Sequence, residues 1–245
     1  MPSCCRAAPC EEVFSSRVAA WSLRHWRRRG HGALERRLLQ EAGEPENLRI
    51  LEIGGGLGTL QAELLRRGAR EGEVIELTAA WAPYARELAE ELGVADRSNF
   101  RVHDVLAEPT GTAPADVVIL NRVICCSAEG VALVRRAAEL TERTLLLSYP
   151  RPSPWIRAGA RLQRLLFRLS GRQFRFFVHP RPEMEAAAAA AGLTRTGGRA
   201  GLLWEYANYT RTGTDGIVSE GRSGGTVPAI TEQVMAFEKQ EATQR

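Results

Sequence analysis

The sequence predicts a doubly wound α/β fold: a mostly parallel sheet with helices on both faces and an antiparallel hairpin at one edge. Three observations predict it. Between residues 47 and 150, short β-rich runs alternate with single segments of helical period, the signature of βαβ units. The runs are apolar throughout rather than at every second residue, so neither face of the sheet meets water. A glycine-packed turn follows the first run and opens a helix, at the place where open α/β sheets bind ligands.

Taken in order, LRILEI reads as a buried strand and TLQAELLRRG as the helix after it. GEVIEL is the second strand, and WAPYARELAEEL is a helix stopped at Gly93. NFRVHDV is the third strand and ADVVILNRVI the fourth, joined by a loop rich in Pro, Gly and Thr. AEGVALVRRAAEL is a helix, and RTLLLSYP a fifth strand closed by Pro150. The rhythm then changes. An amphipathic, arginine-rich helix spans Trp155 to Leu169, stopped by Gly171, and an aromatic cluster ends at His179 and Pro180. PEMEAAAAAAGL has very high helix propensity with Gly192 as its cap. LTRTGGRAGLLWEYANYTR predicts two strands turning at GGRAG. Three regions follow: an N-terminal helical cap over residues 1–46, a ligand-binding domain over 47–211, and a flexible polar tail over 212–245.

Composition narrows the class. At 245 residues, 44% hydrophobic and 25% charged, the chain has the make-up of a soluble globular protein. No apolar stretch approaches the roughly eighteen residues of a membrane span, and MPSCCRAAPCEEVF carries no apolar export core. The expected compartment is the cytoplasm. The net charge of +4 is carried by arginine, with Lys239 the one lysine, and its densest cluster, Leu23 to Arg37, reads as a solvated helical face rather than an anion-binding surface. Nucleic acid is therefore not the expected partner. The five cysteines (Cys4, Cys5, Cys10, Cys125 and Cys126) fit neither a disulfide framework nor a paired zinc motif, and no metal is expected. A mixed site of the early cysteines with His25 and His31 is the minority reading.

The glycine turn decides the ligand. In LEIGGGLGTL the glycines at Gly54, Gly56 and Gly58 follow Glu52, and Thr59 stands where the dinucleotide fingerprint needs its third glycine. This E-x-G-x-G-x-G pattern resembles the first motif of the class I S-adenosylmethionine-dependent methyltransferases. The cofactor implied is S-adenosylmethionine, which has no pyrophosphate but carries an amino-acid end, a sulfonium and an adenosine. Side-chain-free positions let the backbone approach it, and Glu52 faces its cationic end, directly or through water. The resemblance places Glu76, at the end of the second strand, on the ribose hydroxyls and Asp104, closing the third, near the adenine amino group. Alone, Glu76 is also a solvated strand end, or the ribose acid of a dinucleotide site, and Asp104 also a cap of the next turn. Together they favour the cofactor. The fold implied is Rossmann-like, of the seven-stranded methyltransferase type.

The later chain, DVVILNRVICCSAEGVALVRRAAELTERTLLLSYPR with FRFFVHP and LLWEY, is similar to a bacterial small-molecule branch related to the magnesium-protoporphyrin O-methyltransferases. What this implies is methyl transfer to a small-molecule acceptor, at oxygen or a carboxylate. Asn121 ends the fourth strand beside the cofactor, where such enzymes often have an acid, so a simple aspartate base is in doubt. Arg122 pairs with an acceptor carboxylate or bridges to a neighbouring helix. His179 is the leading candidate base, being competent near pH 7 as neutral imidazole, with a structural role beside Pro180 as the competing reading. Cys125 and Cys126 read as core or pocket wall. Tyr149 and Trp155 are candidate acceptor walls, and Trp21 and Trp26 a candidate lid. Three other functions stay open: an RNA or protein methyltransferase docking through the arginine-rich N-terminal helix, a non-catalytic cofactor-binding module, and an NAD-dependent oxidoreductase, which Thr59 disfavours.

Overall fold

A computed structural model describes residues 13–171 and 174–211. The tail expected over 212–245 and Cys4, Cys5 and Cys10 lie outside them. Two helices lead, α1 (Ser16–Arg29) and α2 (Ala33–Glu41). The alternating core follows as β1 (Arg49–Ile53), α3 (Thr59–Arg66), β2 (Glu71–Glu76), α4 (Ala82–Glu91), β3 (Ser98–Val102), β4 (Ala115–Asn121), α5 (Gly130–Glu139) and β5 (Thr141–Pro150). Then come α6 (Pro154–Leu169), α7 (Arg181–Ala190), β6 (Leu193–Ala200) and β7 (Trp204–Arg211).

The strands form one seven-stranded sheet in the order β3-β2-β1-β4-β5-β7-β6. The first five run parallel, and β7 joins β5 and β6 antiparallel at one side. The expected dry faces are found in the central strands, while the edge strands β3 and β6 carry exposed positions. In β4, Val118 and Leu120 pack with Leu133, Val134 and Ala137 of α5 and with Met184 and Ala187 of α7. Their neighbours Val117 and Ile119 turn to the other face and pack with Leu60, Leu64 and Leu65 of α3 and with Leu38 and Leu39 of α2. Alternation along a strand buried on both faces requires apolar residues at every position, which is why these segments read as continuous apolar runs.

Two expectations are corrected. The GGRAG segment is not the hairpin turn. β6 continues through Gly197 and Gly198 to Ala200, and the chain reverses at residues 201–203, where Gly201 N donates to Trp204 O at 2.7 Å. The register slips between Arg195 and Gly197, so the glycines serve a β-bulge. At Gly198, with φ of 142°, a Cβ would lie 2.6 Å from Tyr206 O. The arginine-rich stretch Leu23–Arg37 keeps its arginines exposed, as expected, but is not a single helical face. It breaks at Gly30, whose φ is 62°, and residues from both helices turn inward.

α1 packs over the sheet's carboxyl end. Ala19 and Leu23 are buried with Leu57, Trp81 and Leu88, while Arg27 pairs with Glu87 and Glu91 of α4, both at 2.7 Å. These exposed ion pairs add little beside the buried apolar contact.

Candidate functional site

The carboxyl ends of β1, β2 and β4 and the segment after β3, roofed by α1 and the start of α2, enclose a cavity of about 850 Å³. Its lining brings together Glu52, Gly54, Gly56, Glu76, Asp104, Asn121 and Arg122. These come from four separate strand ends, so the expected constellation is a single site in space. Gly58 lies beneath it, in the left-handed conformation that opens α3, with Val74 where its Cβ would go.

The turn has a floor made by Glu52, which is 2% exposed. Its Oε2 accepts from Gln61 N at 3.0 Å, satisfying one of the open donors at the start of α3. Burial pushes the carboxyl up to about 8, with the Gln61 N–H opposing and the nearby Glu76 adding to the rise. The sequence reading assigned no reason to Gly55. A Cβ there would stand 2.7 Å from Glu52 Cγ and Cδ, so a side chain at residue 55 and a folded-under acid at residue 52 exclude each other. Gly54 and Gly56 face the cavity, and a Cβ would meet Val123 at 2.2 Å or the Trp81 ring at 3.3 Å respectively.

Glu76 crosses from β2 to this turn. Its Oε1 accepts from Gly56 N at 2.6 Å and its Oε2 from Leu77 N at 3.2 Å. Burial raises its pKa against the pull of those two donors. Asp104 stands just past β3, where Oδ1 accepts from Leu106 N at 2.9 Å and Ala107 N at 3.2 Å. Asp104 therefore caps a turn, as its local reading expected, and that turn lines the cavity.

Asn121 Oδ1 accepts from the Ser148 hydroxyl at 2.7 Å, and that hydroxyl accepts from Arg122 N at 2.9 Å. The chain leaves β4 here with Arg122 at φ of 58°. The Arg122 guanidinium stacks over the Trp204 ring at 5.3 Å and lies 3.7 Å from Glu35 Oε1. Of its two expected roles, the bridge to a neighbouring helix is the one the contacts describe.

His179 is placed elsewhere. Its Nε2 lies 2.9 Å from the Ser127 carbonyl oxygen, a pairing in which the ring nitrogen carries the proton and donates. The ring packs on Gly130, where a Cβ would meet Nε2 at 2.3 Å, and it is not among the cavity-lining residues. This geometry gives His179 the structural role of securing the start of α5. Tyr149 is buried, its hydroxyl donating to Glu205 Oε1 at 3.1 Å. Trp155 is half exposed on α6. Neither walls the cavity, whereas Trp21, Trp26 and Cys126 do.

The residue missed in the sequence is His31. It sits between Gly30 and Gly32 where α1 meets α2, lines the cavity, and lies edge-on to Trp26 at 6.0 Å. Burial lowers its pKa, partly offset by the Glu35 carboxylate, so its ring is neutral at pH 7. Both of its ring nitrogens, together with Trp26 Nε1 and His103 Nε2, are buried without a hydrogen-bond partner among the described residues. All three side chains line this cavity. Buried polar atoms are ordinarily paired, so these nitrogens, tucked into the wall behind the cavity surface, meet a ligand only where their side chains turn toward it. The glycine flanks were the available signal, since they put a histidine in a helix break. No described group of His, Cys, Asp and Glu is arranged to hold a metal ion.

The seven-stranded sheet and its strand order give the chain the fold of solved S-adenosylmethionine-dependent methyltransferases. No family model matches the sequence, and no curated protein matches it. Solved structures do. Magnesium protoporphyrin IX methyltransferase from Synechocystis PCC 6803, with bound SAH, is 18% identical over 84% of each chain, with a TM-score of 0.57. An O-methyltransferase family protein from Burkholderia thailandensis is 20% identical over 81% of this chain and 59% of that one, with a TM-score of 0.62. Geranyl diphosphate C-methyltransferase from Streptomyces coelicolor A3(2), complexed with Mg²⁺, geranyl diphosphate and S-adenosyl-L-homocysteine, is 16% identical over 74% and 77%, with a TM-score of 0.57.

Proposed function

We propose that the protein is an S-adenosylmethionine-dependent methyltransferase that methylates a small-molecule acceptor at oxygen. The observation that carries this reading is the Glu76 carboxylate at the glycine turn, held by Gly56 N–H on the wall of the cavity. The methyl donor of the related solved structures supports it. The site fits that donor: Glu76 takes the ribose hydroxyls, the 54–58 turn lies along the amino-acid end above Glu52, and the Asp104 turn meets the adenine edge. Bound there, the donor supplies an electrophilic sulfonium methyl. The protein's share is then to position the acceptor in line, exclude water and receive a proton.

The acceptor side is the space under α1, walled by Trp21, Trp26 and Phe14. The bound donor would supply the methyl with its sulfur as leaving group, and His31 would be the residue to take the proton that an acceptor hydroxyl loses. The Glu35 carboxylate favours the imidazolium so formed. A cytoplasmic setting belongs to this reading, resting on the free thiol of Cys125. The RNA-docking alternative is less well supported, because Arg29 and Arg36 of the N-terminal cluster line the cavity instead of a continuous outer face.

Calorimetry with S-adenosylmethionine, its demethylated product and NAD tests the donor. Both sulfur compounds are expected to bind, and binding of NAD but neither of them overturns the reading. Labelled donor incubated with cell extract tests for an enzyme: label is expected in the small-molecule fraction, whereas label in RNA or protein fractions overturns the acceptor class. Glu76→Ala is expected to raise the donor Kd about 30-fold, near 2 kcal/mol, from losing hydrogen bonds to a charged group. Circular dichroism should stay native, because the strand end keeps its ladder partners; an unchanged Kd misplaces the ribose.

A further inference from the structure

Helix α6 carries three distinct faces. Ile156 and Ala160 are buried, with Gln163 and Phe167 half-buried beside them. Trp155, Leu162, Leu165, Leu166 and Leu169 are 50–76% exposed. With successive residues about 100° apart, these five fall within an arc of about 100° that points away from the buried side. Arg157, Arg161, Arg164 and Arg168 occupy a third sector bordering the leucines. No carboxylate pairs with any of the four among the described residues. Half of the exposed large hydrophobic residues among the described residues are on this one helix. Leu202 and Leu203, 75% and 52% exposed, belong to the β6–β7 turn. That turn adjoins the start of α6, because Leu203 O accepts from Arg151 N at 2.9 Å.

The charge is as lopsided as the hydrophobicity. Residues 150–181 contain eight arginines and no Asp or Glu, in a chain whose net charge is only +4. An apolar face of this extent on a soluble fold marks an interaction surface, and the charge beside it selects the partner. A second copy docked face to face would bring two arginine rows together with no local acid to pair them. A nucleic acid would match the arginines but leave the leucines in water. An anionic bilayer surface satisfies both, since leucine and tryptophan enter the acyl boundary while arginines extend to the phosphates. No described helix is long and apolar enough to cross a membrane, so this one lies along it.

We propose that α6 is an interfacial helix that seats the protein on bilayers containing anionic phospholipid, with the β6–β7 turn touching down beside it. The seat adjoins the site: on the inner side of α6, Phe167 meets Phe174 at 6.4 Å, and Phe174 meets Phe14 of the cavity wall at 5.8 Å.

Vesicle flotation of the full chain tests this. The probes are phosphatidylcholine vesicles with and without phosphatidylglycerol, and no methyl donor is present. The chain is expected to float with the anionic vesicles and to bind plain phosphatidylcholine at least about tenfold more weakly. Leu162→Glu/Leu166→Glu should abolish flotation. Arg161→Gln/Arg168→Gln should reduce anionic binding about tenfold or more. Circular dichroism checks that each variant is folded without recourse to the donor, so failure here is separable from failure of the methyltransferase reading. No flotation with anionic vesicles, or flotation unaffected by Leu162→Glu/Leu166→Glu, overturns the proposal. So does a wild-type dimer that the same pair converts to monomer without any lipid binding, which assigns the face to a second copy.

Discussion

His31→Gln is expected to slow label transfer from donor to acceptor by about 10²–10⁴-fold, the usual contribution of a positioned general base, while donor affinity stays near wild type. The argument rests on what the imidazole lacks. Neither ring nitrogen has a hydrogen-bond partner among the described residues, so replacing it with an amide of similar reach breaks no bond described there and the fold should hold. The lowered pKa keeps it in the proton-accepting form at neutral pH. A neutral imidazole in a cavity accepts a proton without first losing one. The wild-type pH–rate profile should therefore have its acidic limb below the ordinary histidine value of 6.5, and the variant should lose that limb. A rate within threefold of wild type, or a limb that persists in the variant, removes His31 as the base. The same measurement on His179→Gln should show no change in the limb, because that ring is engaged with the Ser127 carbonyl.

The contrast between these two histidines shows what was legible in the sequence. The glycine turn and its acids were legible because their geometry is local. Glu52 lies within ten residues of every group it touches in the turn, and Glu76 meets Gly56 across one βαβ unit. The parallel sheet followed from the alternation of strands and single helices, whereas its seven-stranded type followed only from the methyltransferase resemblance of the glycine turn. The place of His31 in the cavity was not legible, because it arises from α1 folding over strand ends tens of residues away in sequence. His179 looked reactive beside its aromatic neighbours, yet its surroundings include a carbonyl 52 positions earlier. The hairpin was misplaced for a similar reason: a Gly-Gly pair marks a backbone irregularity, and only the pairing with β7 shows a bulge rather than a turn.

Glu52→Gln should remove a large, pH-dependent term from stability. The folded protein holds the Glu52 carboxyl at about 8 against 4.5 for a free glutamate side chain, so the folded state binds its proton more tightly. The stability tied to that proton is fully present below pH 4.5 and is lost as pH rises from there through about 8. At about 1.4 kcal/mol per pH unit, the loss reaches roughly 4–5 kcal/mol. For a chain of this length that is about 10 °C in Tm. Wild-type Tm should fall across this window relative to the variant, since an amide oxygen can still accept from Gln61 N but carries no proton to lose. Parallel pH dependence in the two proteins would mean that Glu52 titrates normally. The same carboxyl links stability to ligand. A cationic amine bound above Glu52 favours the carboxylate, so donor binding near pH 7 should release up to one proton, seen as a buffer-dependent calorimetric heat. Glu52→Gln should abolish that release. In the empty site, then, the protonated acid spares the fold a buried charge, and the ligand's own charge is what makes ionisation favourable.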